Sequence, residues 1–201
     1  MISLNPLSTI PLTDALLSRD EVRRQAESNL EKIKAKQDFE LHATSFIIEA
    51  RADLPARAKM NRMKKAAQAL SEVVTPLSAC KAGCSHCCNI SAVITDVEAE
   101  AMAKASGRKT RRPKDGISAD VLGKWFRAPC PFLIKGRCSV YEDRPLVCRL
   151  QFNISDTSQQ CDTSIPPTES YVTMLNLSQL QNAYVEAFHD HQWGDIRDFF
   201  R

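Results

Sequence analysis

The stretch Cys80-Lys81-Ala82-Gly83-Cys84-Ser85-His86-Cys87-Cys88 decides how this chain is read. Four thiols fall within nine residues, at spacings that let one loop wrap a soft cation. Gly83 eases the turn, and backbone amides nearby can donate to the sulfurs. Cysteines this close cannot readily pair with one another, because a disulfide needs side chains facing each other at a set separation. Downstream lie Cys130, Cys138 and Cys148, with Cys161 beyond, so all eight cysteines of the 201-residue chain fall between Cys80 and Cys161. Two groups of cysteine-rich turns, each too loop-like to be stable alone, predict a core organised around metal. Disulfides between the groups, a redox relay and inert buried thiols are the competing readings.

Compartment bears on that choice. The start, Met1-Ile2-Ser3-Leu4-Asn5-Pro6-Leu7, has no basic region, apolar run or cleavage site of a secretory leader. Phe46-Ile47-Ile48, the densest early apolar run, stops at Glu49, far short of a membrane span. The expectation is a cytoplasmic protein with reduced thiols and no membrane partner. Hydrophobic residues at 43% and charged residues at 25% exclude wholesale disorder and fibrous structure. A net charge of +3 is too small to argue for nucleic acid as a partner. The basic run Arg108-Lys109-Thr110-Arg111-Arg112-Pro113-Lys114, between Gly107 and Asp115-Gly116, reads as a solvated loop without interleaved aromatics.

Working outward, the fold class is mainly α with short β elements (α+β), a helical N-terminal region packed on a metal-organised cysteine-cluster domain. Residues 1–75 lack cysteine and form a helical extension. Val22, Ala26, Leu30, Ile33, Leu41 and Ile48 recur at helical steps. Pro55 interrupts and suits the first turn of a new helix, where Met60, Met63, Ala67, Leu70 and Val74 form a heptad-like stripe. That stripe packs on the rest of the domain, or offers a protein partner a helical surface. Residues 76–165 form the cysteine-cluster domain. Within it, Ile90, Ala92 and Ile94 alternate as a short strand, and Thr95 with Glu98 forms a capping box for a helix through about Ala105. Phe132-Leu133-Ile134 and Ser139-Val140-Tyr141 flank a tight turn at Lys135-Gly136-Arg137, which draws Cys130 and Cys138 together. Pro145 opens a short helix whose dipole is expected to favour the Cys148 thiolate. Residues 166–201 hold a C-terminal helix from Ser170 with Val172, Leu175, Gln179, Ala183 and Ala187 on one side, ending near Phe188, His189 and Trp193-Gly194.

Cys80-x3-Cys84-x2-Cys87 also has the spacing of radical S-adenosylmethionine enzymes. Those enzymes need a barrel of strand–helix units, each of ~30 residues or more, and only 113 residues follow Cys88. A wider pattern is more specific: Cys80-x3-Cys84-x2-Cys87-Cys88, then Cys130-Pro131-Phe132-Leu133, then Gly136-x-Cys138-x-Val140-Tyr141-x-x-Arg144-Pro145-x-x-Cys148-Arg149. Over residues 80–152 this resembles the CxxCxxCC (YkgJ-like) cysteine-cluster family, whose domain is associated with zinc or iron chelation. The resemblance implies Cys80, Cys84, Cys87, Cys88, Cys130, Cys138 and Cys148 as metal ligands. Tyr141, Arg144, Pro145 and Arg149 fall on the signature, and Arg144 and Arg149 can stabilise thiolate charge. His86 is an optional ligand, and Cys161 completes the candidate set of eight although it stands apart from the signature.

Zinc wants four ligands per closed site, and eight cysteines could make two. A 4Fe-4S cluster also takes four, so zinc, iron and iron–sulfur all stay open. Cys87 and Cys88 are expected to serve different centres or different sides of one. Three functions follow: a cysteine-ligated metal-binding protein with a structural, redox or sensing metal; a protein lysine N-methylase-like enzyme, since the family includes a cluster resembling that of flagellin lysine N-methylases; and a metal-stabilised protein-interaction module. The balance leans away from an enzyme, because the six glycines form no GxGxxG, and no catalytic residue is assigned.

Overall fold

The computed structural model describes residues 16–114, 117 and 123–200. Met1–Leu7, Pro11 and the Asp115-Gly116 end of the basic loop lie outside the described residues. The chain is mainly α with short antiparallel β pairs, as its sequence predicts.

Three helices open the described chain: α1 (Arg19–Lys34), α2 (Gln37–Arg51) and α3 (Ala56–Val74). A capping box between Ser18 and Glu21 starts α1, and Pro55 sits at the N-cap of α3. Val22, Ala26 and Ile33 are buried, and so is the whole Met60–Val74 stripe. The stripe does not continue through α2. Leu41 and Ile48 are both 62% exposed, while Phe46 and Ala50 are buried instead. The break at Ala35-Lys36 interrupts the helix and resets its rotational phase, so steps counted across it mislead. α2 packs on α3 and on α6 (Ser178–Ala187).

The cysteine half is built from short elements. β1 (Val93–Thr95) follows the first cluster and leads into α4 (Asp96–Ser106), capped as predicted by Thr95 and Glu98 and closed by Gly107 with φ +69°. β2 (Leu133–Ile134) and β3 (Arg137–Cys138) form the predicted hairpin, with Lys135 and Gly136 both at positive φ. One helical turn, α5 (Leu146–Arg149), carries Cys148.

Two corrections concern the C-terminal part. The helix expected from Ser170 starts at Ser178; residues before it run extended, where Ile154 N donates to Thr173 O at 2.9 Å and Leu175 N to Phe152 O at 2.9 Å. Gln179 is exposed, and Leu180, Ala183 and Tyr184 make the buried side. The chain also continues beyond Phe188 as β4 (Trp193–Asp195) and a last turn, α7 (Ile196–Phe199). β4 pairs antiparallel with β1, Ile94 opposite Gly194.

Two apolar cores result. One joins α1–α3 and α6 with Leu146, Leu150, Phe152 and Ile154; the other gathers Ile94, Met102, Phe132, Val140, Ile196, Phe199 and Phe200. Glu98, fully buried, stands between them. Its Oε1 accepts from Leu146 N at 2.7 Å, and its Oε2 accepts from Thr95 N at 3.3 Å and from the Tyr184 hydroxyl. Burial pushes this carboxyl above its ordinary range, opposed by Lys64 and the three donors. Tyr184→Phe removes one donor from a buried carboxyl and is expected to cost about 2 kcal/mol. A urea melt checks this, as a lower midpoint with unchanged slope.

Candidate metal centre

The first cysteine loop follows α3 through two bends. Gly83 takes φ +92°, which turns the chain between Cys80 and Cys84. Cys84 N donates to Lys81 O at 3.0 Å, and a 3-10 turn over His86–Asn89 carries Cys87 and Cys88. Cys80, Cys84 and Cys87 line one cavity of about 400 Å3, and Cys161 lines it too. Cys161, set apart in sequence, thus belongs with the first loop. His86 and Asp162 line the same space.

Asn153 ties this group together. Its backbone N–H donates to Cys80 Sγ at 3.2 Å and its side-chain Nδ2 donates to Cys161 Sγ at 3.2 Å. Its Oδ1 accepts from Ser155 N, Ser155 Oγ and Thr173 Oγ1, which locks the amide's orientation. N–H donors of this kind stabilise negative charge on sulfur. Sequence reasoning missed Asn153: a lone asparagine after a cysteine motif carries no signal until the fold seats it between two sulfurs.

Cys130, Cys138 and Cys148 gather separately against the second core. The β2–β3 hairpin pairs Leu133 with Cys138, and Leu133 N donates to Cys130 O at 2.9 Å. Cys130 N donates to Cys88 O at 2.7 Å, which ties the end of the first loop to the second group, while Cys87 lines the cavity of the first. The two groups adjoin, since Cys87 contacts the Cys88 thiol and its charge is felt at Cys148. All eight cysteines are free thiols. As placed, and among the described residues, no three Cys, His, Asp or Glu side chains form a set that could hold a metal ion. The fit to a metal therefore lies in donor chemistry, eight soft thiols in two adjoining groups, rather than in a formed coordination shell.

Burial governs the protonation of four of the thiols. It pushes Cys80, Cys130 and Cys148 up, and lifts Cys161 to about 11. Contact with Cys88 does the same to Cys87. The expected dipole effect on Cys148 is overturned, because α5 is a single turn and desolvation of the thiolate outweighs it. Arg149 is buried, but its donors go to Gln68 Oε1 at 2.9 Å, Arg144 O at 3.0 Å and Glu142 O. It braces the loop ahead of Cys148. Arg144 lies over the Tyr141 ring at 3.8 Å and lowers the Cys87 thiol electrostatically. The basic run is partly structural: Arg108 donates to Pro131 O at 2.8 Å and lies over the Phe132 ring.

These thiols hold their protons at neutral pH, so an entering metal ion must displace them. Zinc affinity is expected to rise with pH by about tenfold per unit for each proton displaced, up to the thiol range. Chelator competition at two pH values measures the slope, and weakly buffered titration measures the released protons directly.

No curated protein and no solved structure matches the chain. No helix among the described residues is long and apolar enough to cross a membrane. Residues 79–165 match the family model CxxCxxCC, described as "Putative zinc- or iron-chelating domain". That match reaches past the motif read from the sequence and takes in Cys161. All eight cysteines fall inside the segment 79–165, which is thus similar over its length to a domain described as zinc- or iron-chelating.

Proposed function

We propose that the chain is a thiolate metal-binding protein whose ligands are its eight cysteines, in two adjoining groups. Cys80, Cys84, Cys87 and Cys161 form one, and Cys88, Cys130, Cys138 and Cys148 the other. The observation that carries this reading is the meeting of Cys161 with the first cysteine loop around one cavity. Cys161 lies 73 residues beyond Cys88, yet it lines the same cavity as the first loop, which supports a shared centre. Four thiols per group suit a zinc ion or an iron–sulfur cluster. A metal there cross-links loops that have little regular structure, and exchange of metal or electron at the more open first group would make the protein a sensor or redox carrier. The cysteines being reduced when metal-loaded suits a cytoplasmic setting.

Metal analysis of anaerobically purified protein tests this. Zinc or iron in whole-number ratio to chain is expected; brown protein with sulfide selects iron–sulfur, and colourless protein with zinc selects zinc. Cys84→Ser and Cys161→Ser are each expected to lose the first group's metal, and unchanged metal in both refutes the assignment.

A second reading, an enzyme acting on a small or protein-borne substrate, is favoured by one observation. The cavity beside the first group, about 400 Å3, is larger than an ion needs and is walled by Ile90, Phe126, Ile165, Val172 and Met174. Methyl transfer from S-adenosylmethionine to a protein lysine would establish it, and failure of the loaded protein to bind that cofactor removes the methylase form.

A further inference from the structure

We infer that Arg197, backed by Asp195, is a positioning residue of the metal centre, clamping the Cys88 loop to the Cys130 loop. The inference rests on the metal-binding reading and concerns residues outside the matched segment 79–165.

Arg197 is 3% exposed, an unusual burial for a guanidinium. Its Nη2 donates to Cys88 O at 3.0 Å, Ile90 O at 3.0 Å and Ala128 O at 2.6 Å. Its Nε donates to Ala128 O at 3.1 Å and Pro129 O at 3.3 Å. The remaining nitrogen, Nη1, faces both oxygens of Asp195 at 3.0 and 3.3 Å. Asp195 is completely buried, and its Oδ2 also accepts from Ser91 Oγ at 2.6 Å and Ala92 N at 2.7 Å. One side-chain pair therefore grips the chain on both sides of the two cysteine loops, at 88–92 and at 128–129.

Apart from Cys88, which lies in the 3-10 turn, the carbonyls it gathers lie outside any strand ladder or helix. Without the guanidinium, the part-buried carbonyls of Ile90, Ala128 and Pro129 would lose this donor, at a cost comparable to lost hydrogen bonds. The planar five-donor fork of arginine suits this task; a lysine ammonium supplies charge but not the spread of donors. Cys88 O is the shared point, accepting from Arg197 and from Cys130 N. Thiols on such loops reach a common ion only if the two backbones stay in register, and displacement of supporting groups typically weakens metal sites by 10–100-fold. The β1–β4 pairing delivers Asp195 and Arg197 to this spot.

Full-length wild type, Arg197→Lys and Arg197→Met are to be compared by Co2+ binding against a chelator and by amide hydrogen exchange. Arg197→Met is expected to lose roughly tenfold or more in Co2+ affinity, with an altered thiolate-to-metal absorption band, and Arg197→Lys to fall between. Exchange should quicken at 88–92 and 128–131 while α2 and α3 keep their protection. Wild-type affinity and exchange in Arg197→Met overturns the inference. So does quickened exchange spread evenly through α2 and α3, which makes Arg197 a general stability element. Wild type that takes up no Co2+, zinc or iron refutes the metal reading instead; the clamp is then decided by exchange alone, upheld if the change stays within the two loops and overturned if it does not.

Discussion

The buried carboxyl of Glu98 joins parts of the chain that no regular element connects. It begins as a helix cap, the partner of Thr95 at the start of α4. The same two oxygens also accept from Leu146 N, at the turn that carries Cys148, and from the Tyr184 hydroxyl on α6. A buried acceptor with three donors is costly to break and specific in direction. It sets where α4 and the Cys148 turn stand relative to α6, and so where the cysteine half meets the N-terminal helices.

Within the cysteine half, a similar logic recurs on a smaller scale. The loops carrying the thiols contain two-residue strands and single helical turns, too short to be stable by themselves. Their order comes from polar side chains that reach across: Asn153 to the Cys161 sulfur, Arg149 to the loop before Cys148, Arg197 to the carbonyls around Cys88 and Ala128. Burial holds Cys80, Cys130, Cys148 and Cys161 protonated, so negative charge on these sulfurs forms only when a cation compensates it.

How much of this was legible varies by residue. The Thr95–Glu98 box, the Gly136 turn and the Met60–Val74 stripe rest on local rules of capping, left-handed backbone and helical period, and all three stand in the structure. Leu41 and Ile48 misled because the period was counted across the break at Lys36. Ser170–Leu177 has apolar spacing compatible with a helix but runs extended, where Thr173 O and Leu175 N bond to the 152–154 segment. The predicted favouring of the Cys148 thiolate failed because desolvation, invisible in a one-dimensional pattern, exceeds the dipole of one turn.

For the site, the sequence by itself determined the donor chemistry: eight thiols, their two clusters and the family pattern that spans most of them. Local spacing suffices for that, since a short loop can present only what it carries. Tertiary structure alone decided which thiols are neighbours. It brought Cys161 to the cavity that Cys80 lines, and placed Asn153 and Arg197 against the cysteine loops. Those partnerships depend on burial and on hydrogen bonds between segments up to about a hundred residues apart, 109 between Arg197 and Cys88. Neither residue type nor spacing encodes such pairings; they exist only once the chain has packed around them.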